Sequence, residues 1–315
     1  MLSALPSLAL LALLSADAAP PVPLLLCDSS RKRIAIVDPD GSVRWERPIG
    51  PAHDLHWLPQ PGGGGHVLMQ DSWTHLLEVD PATDQTVWEY DAREAAPEGY
   101  EGRVEVHAFQ RLPEGGTLIA LSGPSELVEV EPDGRIARRI ALQVEQPHPH
   151  HDTRLVRKTG AGTYLVAHES DGVIREYNAE GRVVWSYEVP LFDRPRAGGH
   201  GLDAFGNQAF GVLRLDSGNT VITTGNGHGV IEVTPAKEIV WRLAQDDLLA
   251  SDGIRLAWTT SIEELPNEEG YLLVNCHAGP EQPQVIALTR EKRVLWTLRD
   301  FERFGNATTN ATVAK

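Results

Sequence analysis

The sequence predicts an all-β chain folded as a six-bladed β-propeller whose ring is closed by the C-terminal strand completing blade one. Three observations carry that expectation. A three-part phrase recurs six times: a Leu-Pro or Gly-rich turn leading into an apolar run, a run of the type Val-Glu-Val-Asp-Pro-x-Gly, and a third ending in Val-x-Trp. Trp45, Trp88, Trp185, Trp241 and Trp296 share one position of that phrase, and Arg138 stands there in the third copy. Successive positions therefore lie 43, 50, 47, 56 and 55 residues apart. A period of ~40–50 residues built of four short strands is the mark of a propeller blade. Finally, the first copy lacks its opening run, while an extra run follows the last copy over 306–314.

Each blade is expected to have strands A to D running outwards from a central channel. Blade one starts at its second strand, Leu24–Cys27, followed by Arg33–Asp38 and Ser42–Glu46. Blade two reads His53–Leu58, Val67–Gln70, His75–Asp80 and Gln85–Tyr90. Blade three reads Val106–Leu112, Thr117–Leu121, Leu127–Glu131 and Arg135–Ile140. Blade four is assigned to Thr153–Arg157, Thr163–Ala167, Val173–Asn178 and Arg182–Glu188. Blade five takes Phe210–Leu215, Thr220–Thr224, Gly229–Thr234 and Glu238–Leu243. Blade six takes Thr259–Leu265, Tyr271–Asn275, Gln284–Thr289 and Arg293–Leu298. The C-to-D turns at 38–41 and 131–134 carry Pro-Asp-Gly, which supplies tight-turn geometry. The missing inner strand of blade one is expected from Asn306–Ala314, a closure that removes exposed sheet edges.

A closed repeat array of 315 residues counts as one domain, here 19–315. Residues 1–18 read as a signal peptide: Leu8–Leu14 is an apolar core, and Ala16-Asp17-Ala18 is a small-x-small cleavage pattern. The apolar run is too short to span a bilayer. An exported protein, periplasmic or secreted, is expected. Against 28 basic residues stand 44 acidic ones, a net charge of −16, which argues against nucleic acid or an anionic membrane as partner. Cys27 and Cys276 fall on corresponding strands of neighbouring blades. Such strands lie beyond the Cα separation of roughly 4.4–6.8 Å that a disulfide requires, so two free thiols are expected. The sequons at Asn306 and Asn310 are taken as inner-strand residues closed to glycosylation.

In an antiparallel blade, strand A begins and strand B ends on the same face of the disc. Ten of the twelve histidines fall there when the repeat is used as a ruler. His53, His107, His150 and His151 open A strands, with Asp152 beside them. His148 and His200 lie in D-to-A loops, and His75, His168, His228 and His277 lie at B-strand ends. Only His56 and His66 fall elsewhere. Asn207, Gln208, Arg154, Arg255, Trp258, Thr259 and Asn306 join the same mouth. Imidazoles beside carboxylates and guanidinium suit general acid–base work, metal binding or anion capture. There is no CxxC pair, no HExxH, no GxSxG elbow and no P-loop. A divalent metal such as zinc or manganese would therefore need histidines from different blades, the candidates being His53, His107 and His151.

The Leu-Pro-x-Gly-x-Thr, Val-Glu-Val-Asp and Val-Val-Trp phrases resemble the PQQ-like (WD40-like quinoprotein) propeller repeats. His150-His151-Asp152, leading into a strand and then GTYLVAHE, is similar to the arylsulfotransferase-type propellers. That resemblance implies channel histidines that bind and transfer a sulfuryl group, one as transient nucleophile. The matching positions are His53, His107 and His151, with Arg154 as anion clamp. The chain departs from those enzymes in being shorter and in having no N-terminal domain to complete a site. It departs from PQQ-dependent enzymes in having six blades and no adjacent cysteines, so PQQ itself is not expected.

The expectation is a His-lined pocket for a small anionic or carbohydrate-like ligand, with group transfer or elimination as its chemistry. His107, His151, His53 and Arg154 are the catalytic candidates. His150, Asp152, His168, His200, Trp258, His277 and Asn306 are the ligand-binding ones. The competing class is a non-catalytic propeller that presents its face to a protein or polysaccharide.

Overall fold

Second and third strands flanked by blades on both sides must be apolar on both faces, and outer strands only on one. The computed structural model, which describes residues 20–265 and 270–315, has that pattern in six four-stranded antiparallel sheets. The leader expected over 1–18 lies outside the described residues.

Blade one contains β1 (Leu24–Asp28), β2 (Arg33–Val37) and β3 (Val43–Pro48). Blade two is β4 (His56–Pro59), β5 (Gly65–Gln70), β6 (His75–Asp80) and β7 (Gln85–Asp91). Blade three is β8 (Glu105–Arg111), β9 (Thr117–Ser122), β10 (Glu126–Val130) and β11 (Ile136–Ala141). Blade four is β12 (Val156–Lys158), β13 (Tyr164–His168), β14 (Val173–Tyr177) and β15 (Val183–Glu188). Blade five is β16 (Val212–Arg214), β17 (Thr220–Thr223), β18 (Val230–Val233) and β19 (Ile239–Leu243). Blade six is β20 (Trp258–Glu264), β21 (Gly270–Cys276), β22 (Val285–Thr289) and β23 (Val294–Leu298). The last strand, β24 (Thr308–Val313), pairs with β1 and becomes the inner strand of blade one.

The blades pack face to face. Leu24 and Ala35 of blade one share a layer with Leu272 and Val285 of blade six, and a similar apolar layer fills each seam of the ring. Each Leu or Val buried in such a layer contributes roughly 2 kcal/mol. Cys27 and Cys276 are buried free thiols.

The repeat tryptophan acquires its position from a bulge. In all six blades the third and fourth strands slip register once, as between Glu176↔Trp185 and Tyr177↔Val183. The extra residue directly precedes the Trp position; in three blades it is Val87, Val184 or Val240, all exposed. A bulge bends and twists the strand, which turns the next side chain toward the neighbouring blade and blunts the outer edge. Trp45 Nε1 donates to Asp84 at 2.9 Å, Trp185 Nε1 to the Pro235 carbonyl at 3.0 Å and Trp241 Nε1 to the Arg290 carbonyl at 2.6 Å. In each case the acceptor belongs to the next blade's C-to-D turn. Arg138 makes the same kind of contact, its guanidinium reaching the Ala179 carbonyl at 3.5 Å. The departure in blade three thus keeps the donor and replaces the ring.

Two inner-strand expectations are corrected. In blades two, four and five strand pairing starts two to three residues later than the alternation suggested, because His53, Thr153 and Phe210 lie in irregular backbone at the channel mouth. Asn306 is not on the closing strand. It is exposed ahead of β24, where its carbonyl accepts from His277 N–H at 2.7 Å and its side chain accepts from Gly279 N–H at 2.8 Å. Asn310 is an inner-strand residue and is buried.

Candidate ligand site at the channel mouth

Three inner strands slip register where they approach the mouth. β8 does so at His107, β20 at Thr260 and Ser261, and β24 at Thr309. Bulges re-aim side chains; here Thr260 and Thr309 line a cavity of about 340 Å³. Its other walls are His53, His150, His151, Arg154, Glu169, His200, Phe210, Trp258, Cys276 and His277. A larger hollow of about 560 Å³ lies at the opposite rim around Trp57 and Gly63 to Gly65. Its single imidazole, His66, is bound to Glu78 at 2.6 Å, so the concentration of reactive groups is at the mouth.

Two buried carboxylates organise the histidines. Glu169 accepts from His151 Nδ1 at 3.1 Å and from Gln208 Nε2 at 2.8 Å, and it is ion-paired with the Arg154 guanidinium. Arg154 also lies 3.4 Å from His151 Nδ1 and over the Phe210 ring at 5.5 Å. Burial pushes the Glu169 carboxyl up, but Arg154 and the His151 hydrogen bond outweigh it, leaving the group below the usual carboxylate range. Nδ1 of His151 faces the carboxylate, and the residue itself lines the cavity.

The second carboxylate, Glu105, opens β8. His150 Nδ1 lies 2.6 Å and His107 Nε2 3.2 Å from its Oε2, while Arg103 pairs with Oε1 at 2.5 Å. His107 is fully buried and meets His53 Nδ1 to Nδ1 at 2.8 Å. Trp73 packs edge-on against His53, His107 and His150 at 5.0–5.2 Å between ring centroids. Burial and then the Arg154 charge hold both His53 and His107 well below the usual imidazole range.

The far wall is aromatic. His200 stacks on Trp258 at 4.8 Å and sits 5.0 Å from His277. Burial, followed by His200, lowers His277 to about 4. Cys276 also lines the cavity, but burial raises its thiol far above neutrality, so it is not a ready nucleophile.

Of the residues picked out in the sequence, His53, His107, His150, His151 and Arg154 form one contiguous group, with His200, Trp258 and His277 facing them across the cavity. The remaining three stand apart. His168 is fully buried inside blade four, its ring bridging the Asp152 carbonyl and the Tyr177 hydroxyl, both at 2.9 Å. Asp152 shapes its loop, accepting from Gly123 N–H at 2.8 Å, Ser125 Oγ at 2.9 Å and His148 N–H. Asn306 pins the 277–279 loop, as described. The repeat also places at the mouth histidines that lie elsewhere. His75 pairs with Asp71 at 3.1 Å, and His228 is buried between the Ala257 and Ala204 carbonyls. Glu105 and Glu169, by contrast, were not singled out. A partial signal existed for both: Glu105 is a lone acid between Val104 and Val106, two residues before His107 in an apolar strand, and Glu169 directly follows His168 at the end of the apolar strand Tyr164–His168.

The profile of the family described as outer membrane protein assembly factor BamB, a PQQ-type repeat, matches residues 30–257. No curated protein matches the chain. Among solved structures, a protein of unknown function from Bacteroides caccae is similar at 21% identity and a TM-score of 0.71, covering 93% of this chain and 98% of that one. A streptogramin B lyase is similar at 11% identity and a TM-score of 0.56, covering 91% and 85%. The dihydro-heme d1 dehydrogenase NirN follows at 14% identity and a TM-score of 0.51, covering 96% and 78%. At these identities the likeness is one of fold alone.

Proposed function

The chain belongs to the PQQ-type repeat family described as outer membrane protein assembly factor BamB, and on that scaffold we propose that the mouth cavity binds a small anionic or carbohydrate-like ligand and acts on it through His151. One observation carries the reading: a buried carboxylate, Glu169, engages Nδ1 of His151, whose side chain lines the cavity. That is the arrangement by which a carboxylate fixes an imidazole's tautomer and balances the imidazolium that forms during turnover. Nε2 would take a proton in an elimination that expels an alkoxide, or attack the sulfur of an aryl sulfate and displace the aryl oxide, then pass the sulfuryl group to an acceptor hydroxyl whose proton it takes; solvent protonates the departing oxide in either case. The Arg154 guanidinium, already paired with Glu169, would bind an anionic group as part of a shared network rather than as an isolated clamp. Trp258 and His200 offer a stacking wall for a ring, and Thr260 and Thr309 offer hydroxyls.

The arylsulfotransferase-like version of this chemistry draws support from the proximity of His53, His107, His151 and Arg154. His107 is fully buried, which favours His151 as the nucleophile in that version. A non-catalytic scaffold for a protein or polysaccharide is the second reading, favoured by the family's description as an assembly factor. We place either activity outside the cytoplasm, on the strength of the leader pattern.

The test is a panel of aryl sulfates and uronate oligosaccharides offered to the full mature chain, His151→Ala and Glu169→Gln. Turnover that falls at least ~100-fold in His151→Ala supports the reading. No turnover, with ligand binding equal in all three proteins, would leave the scaffold in its place.

A further inference from the structure

We propose that Glu105, His107 and His150 form a binding site for a divalent transition-metal ion, with zinc as the ion their chemistry favours. The three ligand atoms all lie within 4.8 Å of one another. Zinc takes nitrogen and oxygen donors at ~2.0–2.2 Å in tetrahedral geometry, which sets neighbouring donors roughly 3.3 Å apart. Glu105 Oε2 and His107 Nε2 already stand at 3.2 Å. His150, on the half-buried loop entering blade four, is the adjustable member; its Nδ1 is now hydrogen-bonded to the same oxygen at 2.6 Å.

The backbone prepares this set. Glu105 and His107 are two apart on β8, the spacing that places strand residues on one face, and their ligand atoms meet that of His150 from the blade-four loop. The surroundings are those a metal centre needs beyond its ligands. Nδ1 of His107 meets His53, which fixes its ring, and Arg103 holds the other oxygen of Glu105. Trp73 covers the group with apolar surface. Three protein ligands of the His, His and Glu type leave a fourth position open, and His150 borders the cavity. The set is not the His53, His107 and His151 trio suggested by the repeat, since His151 is committed to Glu169.

This inference goes beyond the reading based on His151 and does not depend on it. The test is calorimetric titration of the chelator-stripped full mature chain with Zn²⁺ alone, with Co²⁺ as an optical probe. One ion per chain is expected, with the intense visible bands of tetrahedral Co²⁺. His150→Ala, a loop change that spares the sheets, and Glu105→Gln should each weaken binding at least tenfold. His151→Ala should leave it unchanged. Absence of stoichiometric binding to the wild-type chain, or equal affinity in His150→Ala, overturns the site. Zinc binding without turnover would stand as support here while removing the catalytic reading.

Discussion

His53 and His107, from adjacent blades, meet nitrogen to nitrogen at 2.8 Å. Such a contact needs one proton between two lone pairs, so one ring donates and the other accepts. Two charged rings there would repel each other in a buried site that already holds Arg154. We expect both to stay neutral and out of the ordinary histidine titration near pH 6.5. Long-range ¹⁵N–¹H spectra across pH 5–8 would check this, and a full imidazolium signature for either ring near pH 6.5 would refute it.

Acid should loosen blade four. Burial, and then Arg175, lowers His168 to about 4, against 6.5 for an ordinary histidine. Between those values the unfolded chain binds a proton that the folded chain refuses. Stability therefore falls as pH drops from 6.5 to 4 and levels off below. A separation of about 2.5 units corresponds to roughly 3 kcal/mol. His168→Gln should be less stable at pH 7 yet show a flatter dependence of Tm on pH. Parallel profiles for the two proteins would count against this assignment.

Asp54 ties four inner segments together. Its carboxylate accepts from Arg157 at 2.8 and 3.0 Å, Asn310 Nδ2 at 2.9 Å, Phe109 N–H at 3.2 Å and Leu55 N–H at 3.0 Å. Burial opposes its charge, but Arg157 and His56 hold it well below the usual carboxylate range. Asp54→Ala strands the Arg157 charge and several donors, at a cost of about 3–5 kcal/mol. Urea denaturation would measure it, and a loss under ~1 kcal/mol would mean the network is dispensable.

Closure by β24 should be as decisive. Removing residues 306–315 exposes the paired edge of β1 and part of the apolar layer that holds Ala311 and Val313. We expect a lower Tm, and hydrogen exchange that loses protection first at Leu24–Asp28. An unchanged melting curve would contradict the closure.

The scaffold was legible because its constraints are periodic. A strand between two blades must be apolar on both faces, so Leu24, Leu25 and Leu26 announce themselves. Val-x-Trp marks a bulge and the donor after it, and Arg138 remained readable as the same position. The mouth was legible only in part. His53, His107, His150 and His151 fall at strand starts that the repeat locates. The start of pairing did not follow from alternation, since bulges and irregular backbone shift the face that each residue presents. That is why His168 and His228 were counted at the mouth although their rings turn into the sheets. Glu105 and Glu169 went unmarked for a related reason. A carboxylate becomes an organising group through burial and partners distant in sequence, such as Glu105 with His150 and Glu169 with Arg154 and Gln208.

The Asp54 junction also adjoins the cavity wall, which His53 and Thr309 help to line. It lies one residue deeper than His53 and Thr309, with Asp54 and Asn310 both buried. Asp54 accepts from Phe109, Arg157 and Asn310, so the backbone beside His53 and Thr309 is tied at once to blades two, three and four and to the closing strand. A substitution at this junction would therefore be felt both in the closure of the ring and in the wall of the cavity.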